Sequence, residues 1–247
     1  MKQDSLGDRM KANYENISKT KLVRRMPVII RIDGKAFHTY TRKFEKPFDV
    51  NMIQAMQMTM KSLCENIQGC VFGYTQSDEI SLLLIDYQNL ESAAWFDYKV
   101  QKICSVAASM ATVYFNQEIQ KLLPELDKWA MFDARCFNVP REEVTNYFYW
   151  RQLDAMRNSV EAVGHAYFSQ KQLHKKSCAQ ILEMLKFEKD IDFELMFSLV
   201  EKRGSCCYKQ GREFIIDNII PIFKGVNRDY VEQYLYLDVE NEKENTK

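Results

Sequence analysis

Two short acidic segments constrain this chain more than any other feature: Arg31-Ile32-Asp33-Gly34-Lys35-Ala36-Phe37 and Gln76-Ser77-Asp78-Glu79-Ile80-Ser81. Each sits where an apolar run meets a turn. Val28-Ile29-Ile30 leads into Asp33, while Val71-Phe72-Gly73-Tyr74 and residues 80–85 flank Asp78 and Glu79. Acidic residues are poor strand formers, and a carboxylate in a sheet core without a partner is costly. Three carboxylates at adjacent strand ends therefore need a compensating charge. Mg²⁺ suits that need, because it takes a few carboxylates plus substrate phosphates and keeps its remaining waters. Asp33, Asp78 and Glu79 are the candidate catalytic and metal-binding residues of a phosphoryl-transfer site with two metal ions, one activating a hydroxyl and one steadying the leaving pyrophosphate.

The order of elements predicts how those ends meet. Residues 5–25 read as an amphipathic basic entry helix ended by Pro27, and 28–33 as a strand. Residues 49–66 read as a helix with Asp49 at its N-cap. Segments 69–74 and 80–86 read as a hairpin whose tip holds residues 76–79. Residues 92–123 read as a second helix stopped by Pro124, and 132–138 as a strand. Strand, helix, strand, strand, helix, strand is the split βαβ order of an α+β, ferredoxin-like domain, an antiparallel sheet with two helices on one face. A C-terminal helical extension follows: a long helix over 140–164, helical patterns over 169–187 and 193–202, and a short hairpin over 204–216 turning near Gly211. The domain reading is a core over 1–140, a helical extension with its hairpin over 141–237, and a low-apolar acidic tail over 238–247, expected to be disordered.

Bulk properties exclude little. Thirty-four basic and 34 acidic residues give a formal net charge of zero, so RNA binding would rest on local patches. Seven cysteines show no C-x-x-C pair and no zinc spacing; they read as buried thiols in a reducing compartment, Cys206-Cys207 as a strand fragment. The polar first residues show no signal region, and no apolar run approaches a membrane span. The expectation is a cytoplasmic protein without membrane contact.

Among the basic residues, Lys46 and the Lys99/Lys102 pair are the better candidates for a triphosphate; Arg42 and Lys43 read as a solvated face. No G-x-x-x-x-G-K-[ST] loop is present, so this is no Walker-type site. In 147–159, Arg151, Asp154 and Asn158 fall on one helix face, a stripe able to bind a polynucleotide end or a nucleotide. His174, Lys175 and Lys176 form a local basic patch suited to RNA phosphates. The histidines have no visible nucleophile partner, which argues against nucleophilic catalysis.

Arg31 to Phe37 followed by His38, Gly73-Tyr74-Thr75-Gln76-Ser77-Asp78-Glu79, Phe132-Asp133-Ala134-Arg135 and Trp150-Arg151-Gln152-Leu153-Asp154 together resemble the tRNA-histidine guanylyltransferase family of 3′–5′ polymerases. The resemblance covers about residues 5–215. It implies a polymerase-palm-like catalytic domain with Asp33, Asp78, the Gly34 carbonyl and Glu79 around the metal ions. It also implies nucleotide or triphosphate contacts by Lys35, Ala36, Phe37, His38, Lys46, Ser77, Lys99, Lys102 and Asn158. ATP and GTP or other nucleoside triphosphates would be substrates, tRNA the acceptor, and a homotetramer the assembly. Members that add the extra guanosine to histidine tRNA carry His-Ile-Asn-Asn after the Trp-Arg-Gln segment; here Met156-Arg157-Asn158-Ser159 stands there. That departure resembles the branch that extends 5′-truncated tRNAs by Watson–Crick templating. Two other readings share parts of the pattern: a nucleotidyl cyclase, and a non-catalytic RNA-binding module with a ferredoxin-like sheet.

Overall fold

The computed structural model describes residues 5–236. Its centre is a six-stranded antiparallel sheet in the order β4-β1-β3-β2-β5-β6, formed by β1 (Val28–Gly34), β2 (Cys70–Gln76), β3 (Glu79–Leu84), β4 (Phe132–Asn138), β5 (Ser205–Gln210) and β6 (Glu213–Asp217). The first four strands have the ferredoxin-like arrangement expected. The late hairpin is more than an appendage: β5 pairs with β2 and extends the same sheet.

Both faces are covered. On one, α3 (Val50–Asn66) and α4 (Val100–Leu122) pack Met56, Met60, Leu63, Ile103, Ala107 and Phe115 against Ile30, Ile32, Ile80 and Leu82. On the other, α5 (Arg141–Tyr167) lays Val144, Tyr147 and Phe148 over Ile29, Phe72, Tyr74 and Leu83. β3 is therefore buried along its whole length, which is why Leu82-Leu83-Leu84 places apolar side chains on both faces rather than alternating with polar ones. Each fully buried Leu or Ile contributes about 1.5–3 kcal/mol. Asp49 caps α3 as expected, its side chain accepting from the Asn51 and Met52 amides.

Four helical expectations are cut back or broken, each for a visible reason. The entry helix covers only α1 (Ser5–Met10) and a π-turn to Glu15. Beyond it the Leu22 amide bonds the Tyr98 carbonyl, the Val23 amide Asn138, and the Arg25 amide Asp86. Those bonds commit the amides of Leu22, Val23 and Arg25 to partners outside a helix, and Arg25 takes a left-handed conformation that a helix excludes. The second helix starts at Val100 rather than residue 92, because Phe96, Asp97 and Tyr98 are left-handed and Asp97 is paired with Lys21. The helical patterns over 169–187 and 193–202 each break in two, giving α6 (Gln170–Leu173), α7 (Cys178–Lys189), α8 (Phe193–Met196) and α9 (Leu199–Arg203). Capping boxes at Ser177/Gln180 and Ser198/Glu201 restart the chain.

All seven cysteines are free thiols. Among the described residues no helix is long and apolar enough to cross a membrane. The acidic tail over 238–247 lies outside the described residues.

Gly204 joins α9 to β5 at φ +80°, and a Cβ there would lie 2.2 Å from the Thr75 carbonyl oxygen. Backbone cannot yield as a side chain can. Gly204→Ala is expected to lose about 1–3 kcal/mol from its positive-φ, extended conformation alone, a region essentially reserved for glycine, a fall in Tm of about 2–4 °C per kcal/mol, read by thermal unfolding.

Candidate active site

β1 ends at Gly34, and β2 and β3 are joined by the two-residue turn Ser77-Asp78. Register places Asp33 opposite Glu79, and the Gly34 amide donates to the Asp78 carbonyl at 3.1 Å. Asp33 and Asp78 therefore reach the same end of the sheet. Burial pushes the Asp78 carboxyl up to about 6, and the neighbouring Asp33 charge adds to the rise; the Ser77 hydroxyl, 3.0 Å from Asp78 Oδ1, opposes it. The guanidinium near Asp33 is Arg135, at 4.0 Å, and it sits closer to Asp133, at 3.1 Å. The two carboxylates are thus under-compensated.

Among the described residues no group of three or more His, Cys, Asp or Glu side chains is arranged to hold a metal ion. The donors drawn together here are the carboxylates of Asp33 and Asp78, with Gly34 beside them. That set fits Mg²⁺, which is commonly bound by one or two carboxylates and completed by waters and substrate phosphate oxygens.

A cavity of about 550 Å³ opens beside the pair, a size typical of small-molecule sites. Gly34, Ala36, Phe37 and His38 line one side, residues 44–49 a second, and Ala155, Asn158 and Ser159 of α5 a third. Ala36 adopts a left-handed conformation at φ 54°, which turns the chain into the short α2 (Phe37–Tyr40) so that Phe37 drops into the core and His38 stays outside. Asp49 also fastens the 44–49 loop, its Oδ2 accepting the Glu45 amide at 3.0 Å.

A family profile for tRNAHis guanylyltransferase matches residues 7–140. The chain belongs to this family. A solved bacterial tRNA(His) guanylyltransferase-like protein in complex with ATP is 45% identical and superposes with a TM-score of 0.90, covering 94% of this chain and 100% of that one. A second such bacterial structure, in complex with GTP, is 41% identical with a TM-score of 0.79 over 94% and 100%. The tRNA(His) guanylyltransferase of Debaryomyces hansenii is 31% identical over 140 residues, 54% of this chain and 51% of that enzyme. The chain spans about half the length of that curated guanylyltransferase and of its Dictyostelium discoideum counterpart. As a member of this family the chain is a nucleotidyltransferase.

Against that family pattern, the structure brings Asp33, Gly34, Ala36, Phe37, His38, Lys46, Ser77, Asp78 and Asn158 together around one cavity, all but Asp33 in its lining. Phe37 is a wall residue rather than a free contact, since its ring packs on Tyr40, Phe115 and Phe132. Lys35 is exposed and outside the lining.

Three expectations need correction, for Glu79, for Arg151 with Asp154, and for Lys99 with Lys102. Glu79 does not face the acidic pair as a free ligand: both its oxygens are held by Arg151, at 2.7 and 2.6 Å. Arg151 is accordingly buried, so it is no surface contact for RNA, and Asp154 bridges Arg151 and Arg157 instead of offering a stripe with it. Lys99 and Lys102 lie at the other end of the sheet. The adjacent Val100 carbonyl is 3.9 Å from the Cys136 thiol, and Cys136 pairs with Ile30, three residues before Asp33. Lys102 rests on the Phe96 ring. His174, Lys175 and Lys176 are exposed on the turn between α6 and α7, apart from the cavity lining.

Sequence reasoning missed Gln76, Ser159 and Glu201 in the cavity wall. They come from three separate elements and share no local pattern that would have grouped them.

Proposed function

We propose that the protein is a Mg²⁺-dependent nucleotidyltransferase that adds nucleotides in the 3′–5′ direction to the 5′ end of tRNA, as templated repair of 5′-truncated molecules. The observation that carries this reading is the under-compensated pair Asp33 and Asp78 at the mouth of a nucleotide-sized cavity. The bacterial relatives in complex with ATP and GTP support nucleoside triphosphates as its occupants. Asp33, Asp78 and the Gly34 carbonyl would hold the metal; bound there, Mg²⁺ supplies charge for the triphosphate and acidifies an attacking hydroxyl.

The chain's own residues do the positioning. His38 and Lys46 lie exposed at the rim, where a cation can meet phosphate oxygens as they enter. Asn158 lines the cavity from α5 and can fix a sugar or base by hydrogen bonding. The Phe37 wall and the α5 wall restrict water around the reacting oxygens. The exposed turn 174–176 offers cations to RNA phosphates. Met156 in place of the histidine of guanosine-adding members supports the repair branch over addition to histidine tRNA. Exposed Val113, Trp129 and Met131 beside the β4 edge support self-association, with a cytoplasmic homotetramer as the proposed form.

Incubation with Mg²⁺, nucleoside triphosphates and a 5′-triphosphorylated tRNA lacking its first nucleotide, followed by 5′-end mapping, tests the reading. Templated extension that stops at a complete acceptor stem is expected. A single guanosine added only to full-length histidine tRNA would replace repair with guanosine addition. A cyclic nucleotide made without RNA would assign the site to a cyclase.

A further inference from the structure

Trp150-Arg151-Gln152 is the part of α5 that the nucleotide site leaves unused, yet its polar atoms are among the most tightly bonded in the molecule. Arg151 donates Nε to Glu79 Oε1 at 2.7 Å and Nη2 to Glu79 Oε2 at 2.6 Å. The same Nη2 is 3.0 Å from Asp154 Oδ2, and both side chains of the Glu79–Arg151 pair are 8% exposed. Trp150 lies against the guanidinium, 4.5 Å from its carbon. Gln152 donates to the Pro221 carbonyl at 2.8 Å and accepts from the Phe223 amide at 3.0 Å. Two neighbouring side chains thus fix α5 to two different partners, one turn before Ala155 reaches the cavity.

Glu79 follows Asp78 in the chain and stands opposite Asp33 across the strands. Without a partner it would be a third carboxylate within reach of the metal-binding pair. A bidentate guanidinium fork occupies both its oxygens and holds it toward α5. We propose that Arg151 is a positioning residue: it withholds Glu79 from the metal, leaving a two-carboxylate site, and fixes the turn that carries Asp78 against α5. This inference rests on the proposed metal site throughout, and on the nucleotidyl-transfer reading for its kinetic half.

The test compares wild type, Arg151→Met, the double variant Glu79→Met/Arg151→Met and Asp78→Asn. Binding of Mn²⁺ alone is titrated by electron paramagnetic resonance, folding is followed by thermal unfolding, and kcat and nucleotide KM are measured on truncated tRNA. In Arg151→Met the released Glu79 is expected to raise Mn²⁺ affinity and to lower kcat about 10–100-fold, the range of effect when groups around a metal site are disturbed, with nucleotide KM unchanged. In the double variant an apolar pair replaces a buried ion pair, a substitution such cores tolerate, so Mn²⁺ affinity returns to that of wild type and kcat rises above that of the single variant.

Loss of Mn²⁺ binding in the double variant equal to that in Asp78→Asn would make Glu79 a ligand and overturn the inference. Wild-type Mn²⁺ affinity and kcat in Arg151→Met would overturn it too. If Arg151→Met fails to fold, Mn²⁺ affinity of the double variant alone decides. A wild-type protein that extends no RNA would sink the proposed function, while the Mn²⁺ comparison would still decide the role of Arg151.

Discussion

Asp78→Asn is expected to abolish nucleotide addition and, in the absence of divalent metal, to raise stability at neutral pH. The first half follows from the donor count. With Glu79 held by Arg151, Asp33 and Asp78 are the carboxylates left for a metal, and an amide in place of one removes half of that negative charge. Metal stabilisation of a transferring phosphoryl group contributes several kcal/mol, and each 1.36 kcal/mol is tenfold in rate, so a loss of roughly 10³-fold or more is expected.

The second half follows from the direction of the Asp78 shift, up from 3.8 to about 6. A carboxyl whose folded value lies above its unfolded one holds its proton more tightly when folded. It therefore destabilises the native state at any pH above about 6. The penalty fades as pH falls through that value and is gone below the unfolded value, where both states are protonated. A shift of this size corresponds to roughly 2–3 kcal/mol as an upper figure. Denaturant unfolding in EDTA should show the variant more stable at pH 7.5 and equal to wild type near pH 3.5. Equal stability at both values would refute the electrostatic account of the site, and retained activity would refute the metal assignment. Strain of this kind, relieved when substrate and metal arrive, is a common source of conflict between stability and activity.

What the sequence disclosed, and what it hid, follows from the range of the interactions involved. β1, β2 and β3 were legible because each carries a short apolar run, with a glycine in β1 and β2, and the ferredoxin-like order of the first four strands follows from the succession of elements. That β5 joins β2 was not legible, because the pairing partners lie far apart in the chain. Asp33 and Asp78 were legible because each is an acid at the end of an apolar run, a local oddity with a non-local cause. The role of Glu79 was not, because its partner lies 72 residues away and nothing local distinguishes a ligand from half of an ion pair. Residues 92–99 read as helix by composition, yet Arg24 bonds the Ser92 carbonyl and Lys21 pairs with Asp97. Those contacts come from the entry segment and override local propensity. The breaks at Ser177 and Ser198 were written locally, as S-x-x-Q and S-x-x-E capping boxes, in stretches where apolar spacing alone suggested continuous helix.

Phe37→Ala is expected to be the most destabilising change near the site and to disable it even when folded. The Phe37 ring, 5% exposed, is the hub of an aromatic cluster, with centroids 5.1 Å from Tyr40, 5.6 Å from Phe115 and 5.1 Å from Phe132. Removing it leaves a cavity among three rings and costs about 3–5 kcal/mol. The ring also lies so close over Gly34 that a Cβ there would sit 2.2 Å from it. That contact holds down the backbone that offers the Gly34 carbonyl, and Phe37 follows directly after Ala36, whose left-handed conformation starts the cavity wall. Phe72→Ala is the control. Phe72 is equally buried, packing on Phe148 under α5, and should lose a similar ~3–5 kcal/mol without touching Gly34. Both variants are to be assayed well below their melting midpoints, so that the folded fraction is complete. Under those conditions Phe37→Ala should lose at least about tenfold in kcat/KM for nucleotide, about 1.4 kcal/mol of transition-state stabilisation, while Phe72→Ala stays near wild type. Equal kinetic losses in both would mean that general softening of the sheet, rather than the seat under Gly34, governs the site.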